Sequence, residues 1–440
     1  MQEAKTEDEY RNVVERISGG GVMNRTQVFS VALLVVLAAW VAACGTVSDG
    51  RGSVSMSGGD TSTSVTIAMS AGTTAATVMP AAAAAPPEGL KAVIGVTATV
   101  EPGPGVLWRW GPGGICTTDV ILGGGLHSEE VAVGRHGSIV ACSDSASGNV
   151  RLWNPDEGSV EEIPVPAPTG GWIFWDRMAL SPDESTLALV RSERSETDPA
   201  GVADWAIHGY LIDVESKQLE SWGQLGCARR GADIYSLVWD KDSTSIYVTF
   251  DSQLTGWGDR SWRYEVSTGE SEELAGLPIV MDVGPQGQVL GYDCQADSAR
   301  LVLWRDGESV VLPRDPGLET LSTLGWISDD GKTIVAWGWT PPPEQACVCL
   351  EVLKLRDTGW EVSWLYAVDE SMEIVDGIGF ERGSGVFWLE ARPVLAEGEY
   401  LTDMHLFRLD TDTNQATVSG GLPGDPHDRS RVLGIVGAEG

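Results

Sequence analysis

The chain has 440 residues and a formal net charge of -34, from 63 acidic against 29 basic residues. Such a field repels phosphate backbones and anionic headgroups, so it excludes nucleic acid as a partner and leaves solubility outside the cell, or a metal or cationic ligand, as readings of the acidity. Apolar residues at 42%, with 54 Gly, 18 Trp and only 21% charged residues, allow a sizeable core and favour turn-rich, aromatic β structure over helices.

The first element is the run VFSVALLVVLAAWVAA, Val28 to Ala43, 16 residues without a charge, preceded by Asn24-Arg25. It has the length of a signal-peptide core and falls short of the roughly 20 residues a bilayer span requires. Val41-Ala42-Ala43-Cys44 resembles the bacterial lipobox, in which small residues let a peptidase cut before a cysteine that carries the lipid, palmitate among its acyl chains. The resemblance makes Cys44 the lipid attachment site and places the rest of the chain outside the cytoplasm, anchored to the cell membrane. Residues 1–43 are then the signal peptide. Met23, followed by Asn24-Arg25, would make a proper short start for it. The alternative is an uncleaved span with residues 1–22 as a short cytoplasmic tail.

Residues 44–90 are a linker. From 45 to about 90 they hold no aromatic residue and consist largely of Ser, Thr, Gly and Ala, closing with MPAAAAAPPEG from Met79. This composition cannot bury enough surface to offset chain entropy, so a disordered spacer is expected.

From 91 to 440 the sequence repeats. One unit is an apolar strand, a tight turn and a second apolar strand: VAVGRHGSIVACS from Val131, MALSPDESTLALV from Met178, LVWDKDSTSIYVTF from Leu237, MDVGPQGQVLGYD from Met281, LGWISDDGKTIVAWGW from Leu324 and IGFERGSGVFWLE from Ile378. Equivalent turn positions Gly137, Glu184, Ser243, Gly287, Gly331 and Gly383 are 47, 59, 44, 44 and 52 residues apart, the spacing of propeller blades stretched by loops. A second hairpin follows each unit, as in RLWNPDEGSVEEIPV from Arg151 and HLFRLDTDTNQATV from His405, with Asp, Asn, Gly and Ser in its turn.

Two pieces remain. LWRWGPGGICTTDVIL, Leu107 to Leu122, is an outer hairpin for which KAVIGVTATV from Lys91 can supply one more strand, and RVLGIVG, Arg431 to Gly437, is a lone strand. A ring in which that last strand completes the first blade removes an exposed edge. The expected fold is all-β, a seven-bladed β-propeller, with six blades as the alternative. The turns SPDES, SDDGK and GPQGQ, each before an apolar strand, resemble TolB-like and WD40-like propeller repeats of bacterial extracytoplasmic proteins. The resemblance implies fold and not activity.

In a propeller the turns inside inner and outer hairpins share one face, while the connections from second to third strand and from blade to blade share the other. The second set holds the long insertions here, and a rigid scaffold usually carries its site on such loops. Trp172, Trp175, Trp205, Trp257 and Trp339 belong to that face, with Asp204, Asp259, Arg229 and Arg230. An indole stacks on flat apolar faces while charges read polar groups, the furniture of glycan or peptide recognition. The same indoles could instead pack the loops over the blades.

Six cysteines besides Cys44 suggest disulfides outside the cell. A bridge from Cys294 to the Cys347/Cys349 pair, on neighbouring blades, is the expected one. No zinc spacing, nucleophile elbow or phosphate loop is present, so no catalytic or metal residue is assigned. Calcium is the one cofactor that a ring of acids around the channel could hold. The expected function is binding of an envelope protein or cell-wall glycan; a hydrolase or lyase of carbohydrate or lactone, calcium-dependent or not, is the alternative.

Overall fold

A computed structural model describes residues 86–98, 105–122, 131–143, 148–166, 173–194, 204–229, 234–251, 259–274, 276–277, 279–293, 300–316, 318, 320–339, 348–367, 372–393, 404–421 and 429–437. Twenty-eight strands build it. The first three are β1 (Leu90–Ala98), β2 (Gly105–Gly111) and β3 (Gly114–Leu122). The second blade is β4 (Val131–Val133), β5 (Val140–Ser143), β6 (Val150–Asn154) and β7 (Ser159–Ile163). The third is β8 (Ile173–Leu180), β9 (Thr186–Arg194), β10 (Asp204–Asp213) and β11 (Leu219–Arg229). The fourth is β12 (Ile234–Trp239), β13 (Ser245–Asp251), β14 (Asp259–Glu265) and β15 (Glu270–Glu273). The fifth is β16 (Ile279–Val283), β17 (Val289–Asp293), β18 (Arg300–Arg305) and β19 (Glu308–Val311). The sixth is β20 (Thr320–Ile327), β21 (Thr333–Trp339), β22 (Val348–Arg356) and β23 (Gly359–Ala367). The seventh is β24 (Met372–Phe380), β25 (Val386–Pro393), β26 (His405–Asp410) and β27 (Gln415–Gly421), and β28 (Arg429–Gly437) ends the chain.

Each blade is a four-stranded antiparallel sheet in chain order, except the first, whose order is β28-β1-β2-β3. The lone C-terminal strand therefore completes the N-terminal blade, and the seven-bladed reading holds. Leu90 to Ala98 of β1 pairs with β28 on one side, and Val93 to Thr97 pairs with β2 on the other. First strands touch those of their neighbours all the way round, from β28 through β4, β8, β12, β16, β20 and β24 back to β28. They form the inner wall of the ring.

The packing carries the same circle. Seven apolar clusters each join two adjacent blades, such as Ile94 and Leu107 with Val140 and Trp153 between the first and second, or Val93 and Trp108 with Trp388 and Leu406 between the first and seventh. Much of the tryptophan is spent there: Trp108, Trp153, Trp239, Trp337 and Trp388 are all buried. Close approaches between neighbouring strands require glycine, as at Gly209, where a Cβ would meet Trp222 Nε1 at 1.7 Å.

Local chemistry explains the inner turns. The six equivalent positions named from the sequence, Gly137, Glu184, Ser243, Gly287, Gly331 and Gly383, all have φ between 58° and 70°, the left-handed conformation that closes a tight turn. Ser181 Oγ donates to Asp183 at 2.6 Å and accepts from Thr186 N–H at 3.0 Å. Ser328, Asp330 and Thr333 repeat that arrangement at 2.7 and 3.0 Å. Burial alone would raise these two carboxyls, but the hydrogen bonds from Ser181 and Ser185, and from Ser328 and Lys332, hold both below the ordinary value.

Candidate functional site

The two faces of the ring are unequal. On one, the turn face, every described inner hairpin closes tightly and the turns are cross-linked. Glu184 of the third blade accepts from His136 N–H and Ser138 Oγ of the second. Asp183 N–H donates to Ser243 Oγ of the fourth at 3.3 Å. Lys241 of the fourth lies 3.8 Å from Asp282 of the fifth, whose other oxygen accepts Ile327 N–H of the sixth at 2.7 Å. Asp329 of the sixth accepts Gly383 N–H of the seventh at 3.0 Å.

One further contact crosses the ring. Arg135 Nη2 of the second blade and Asp329 Oδ2 of the sixth are 2.5 Å apart, both side chains partly buried. Those blades are separated by two others on the short way round, so the pair spans the mouth of the channel. Nothing in the sequence singled it out, because the partners are 194 positions apart in turns of ordinary composition.

On the opposite, loop face the sequence placed its binding residues. Trp175 is the third residue of β8, opposite Ser192. Asp204 and Trp205 open β10, and Asp204 pairs with Arg229, the last residue of β11, while Trp205 lies between Arg194 and Ala228. Asp259 opens β14 opposite Asp251. Trp339 ends β21 between Thr320 and Val348. All six are at strand ends on one face, and four of them belong to the third blade. Trp172, Trp257 and Arg230 lie outside the described residues.

Cys44, Cys294 and Cys347 also lie outside the described residues. Cys349 is the second residue of β22, fully buried between Gly338 and Ala367. His208 is half-buried on β10 opposite Arg191 and Gln224. Among the described residues no three His, Cys, Asp or Glu side chains are grouped to hold a metal ion, and no helix is long and apolar enough to cross a membrane. The tract Asp410 to Asn414 is an Asx turn, in which Asp410 Oδ1 accepts the N–H groups of Asp412 and Thr413 at 3.1 and 3.0 Å.

Buried charges brace the blades. Lys354 Nζ of the sixth blade bonds Thr333 Oγ1, Thr411 Oγ1 and Asp412 Oδ1 at 2.9, 3.0 and 2.7 Å, which clamps the outer turn of the seventh. Glu351 is fully buried and accepts Asp315 N–H, while its second oxygen has no hydrogen-bond partner among the described residues. Burial pushes its carboxyl up, against that hydrogen bond and the nearby Arg314.

No protein-family model and no curated protein matches the sequence. Solved structures do. Acylaminoacyl peptidase from Pyrococcus horikoshii is 13% identical with a TM-score of 0.50, over 78% of this chain and 52% of that one. The likeness is to the propeller fold. A prolyl endopeptidase is 11% identical at a TM-score of 0.49, over 78% and 51% of the two chains. TolB from Acinetobacter baumannii is 12% identical at 0.40, over 78% and 83%. This chain spans about half the length of either peptidase.

Proposed function

We propose that the protein is a propeller held outside the cytoplasm by a lipid on Cys44, spaced from the membrane by residues 45–90, that binds an envelope protein or cell-wall glycan through its loop face. The observation that supports the reading most is the inequality of the faces. One is a continuous set of short, cross-linked turns with a salt bridge over the channel mouth. The other carries the strand ends at which Trp175, Asp204, Trp205, Arg229, Asp259 and Trp339 stand. Large aromatic groups beside both signs of charge suit a ligand with apolar faces and polar edges.

Thermal unfolding of the full chain in detergent, with EDTA, with calcium and across cell-wall glycans and peptides, tests the binding. A ligand of the folded form raises the midpoint, and the rise should vanish in Trp205→Ala and Arg229→Ala. A calcium-dependent rise accompanied by turnover would replace this reading with a hydrolase or lyase. Metabolic labelling with an alkynyl palmitate analogue should mark the wild-type chain and not Cys44→Ala.

A further inference from the structure

Among the described residues each blade ends in an outermost strand with no partner on its far side, and these edges differ in how they are protected. Charged residues stand on six of them: Asp119 in β3, Glu161 and Glu162 in β7, Glu220 and Arg229 in β11, Glu270, Glu272 and Glu273 in β15, Glu308 in β19 and Glu361 in β23. Native sheets use such charges to keep foreign strands from adding to an edge. The seventh, β27, reads QATVSGG and carries none over seven residues. An antiparallel ladder with β26 uses half of its backbone groups, so the remaining N–H and C=O groups point outward.

The flank of this edge is apolar. Gln415 to Val418 are exposed, and Val418, at 60%, is the most exposed large hydrophobic side chain among the described residues. It stands opposite Phe407, while Trp364 and Tyr366 of β23 stand opposite Val352 and Leu350. Residues directly opposite in an antiparallel pair share a face, and Phe407, Val352 and Leu350 all belong to the cluster between the sixth and seventh blades. Val418, Trp364 and Tyr366 therefore turn toward one seam. The two rings, 5.2 Å apart, are half-buried there. Burial alone, with no hydrogen bond or charge beside it, pushes the Tyr366 phenol up to about 12.

We infer that the outer edge of the seventh blade takes an extended peptide of a partner protein as a fifth strand, its aliphatic side chains laid on Val418 and toward Trp364 and Tyr366. An extended backbone supplies donors and acceptors at the spacing of the open ladder, and alternate side chains then read the flank. Charge decides which peptide. The net charge of -34 opposes a second copy of the chain or an acidic segment, and favours a neutral strand with basic flanks. This surface lies on the rim of the ring and stands whether or not the loop face binds.

A fluorescein-labelled peptide of three Thr-Val pairs between terminal lysines, titrated with the full chain in detergent, provides the test through its anisotropy. Main-chain hydrogen bonds supply the affinity in strand addition, so a generic sequence suffices. In about 0.3 M salt, where exposed charges are screened, saturable binding at one peptide per chain is expected. Thr417→Lys/Val418→Lys should weaken it at least tenfold. Val310→Lys/Val311→Lys, which makes the same charge change on β19, should leave it unchanged. If the double lysine lowers the melting point, the milder Val418→Thr serves and should weaken binding at least threefold. The same peptide N-methylated at every valine and threonine, equal in charge but stripped of those donors, should not bind. Absence of saturable binding to the wild type, equal binding of the N-methylated peptide, or wild-type affinity in the folded edge variants overturns the inference. So does a dimer in sedimentation velocity that Thr417→Lys/Val418→Lys abolishes, which would assign the edge to a second copy.

Discussion

Removal of residues 429–440 tests the ring directly. Eight residue pairs join β28 to β1, and the deletion takes away Val432 and Val436, which are 4% and 2% exposed. Each buried side chain of this size contributes about 1.5–3 kcal/mol. The fully buried Ala92, Val93 and Ile94 of β1 lose their cover at the same time, so the loss reaches roughly 5 kcal/mol or more, comparable with a whole-domain stability of about 5–15 kcal/mol. The first-to-second and seventh-to-first interfaces both include β28 side chains, Val436 in one and Val432 in the other; the damage is therefore shared by two seams. Circular dichroism melts of full-length and truncated chains should show a cooperative transition lost or lowered by well over 10 °C. A synthetic peptide of residues 429–440 added in trans should restore part of it. A truncated chain that melts within about 2 °C of the parent would refute the argument, since a loss of several kcal/mol moves the midpoint much further.

Four other expectations are open to measurement. Gly209→Ala should lower stability by about 1–3 kcal/mol, because its Cβ would fall 1.7 Å from Trp222 Nε1; urea titration reads this. Ser243→Gly should stay within about 1 kcal/mol of wild type, since it relieves a left-handed φ of 60° while losing the hydroxyl's weak contacts with Asp183, whereas Glu184→Gly should cost about 2 kcal/mol by stripping the cap from His136 and Ser138. Asp183, Asp330 and Asp410 have folded values below the ordinary one; their stabilisation is present above the ordinary carboxyl value and lost as pH falls through the folded values, so the urea midpoint should hold steady down to about pH 4 and drop below it. Glu351 has the opposite sign. Its folded value is raised, so its charged form costs stability at alkaline pH, and Glu351→Gln should raise the melting point at pH 8 with little effect at pH 4.

The hairpins could be read from sequence because turn chemistry is local. SPDES and SDDGK announce their own hydrogen bonds, and the six left-handed positions fall in the turns that spacing picked out. Even the joining of the two chain ends was legible, since Arg431 to Gly437 had no blade of its own. Contacts between turns were not. Arg135 finds Asp329 only because two blades and a radius bring them together, and no window of sequence encodes a radius. The register shifts at Tyr235 and Leu324 were hidden as well, because both residues look like ordinary members of an apolar strand. Among the tryptophans, the burial of Trp153 and Trp388 at seams between blades was not read from the sequence, which placed only the loop-face set.

The placement of β1 between β28 and β2 has a mechanical side. Residues 86–89 lead directly into β1, so any pull transmitted along the preceding chain is applied to a strand gripped by antiparallel ladders on both flanks. Such a strand cannot be peeled away one hydrogen bond at a time, as an edge strand can. It must slide, and both ladders must give together, which makes the blade that closes the circle also the one that resists force on the leading end of the domain.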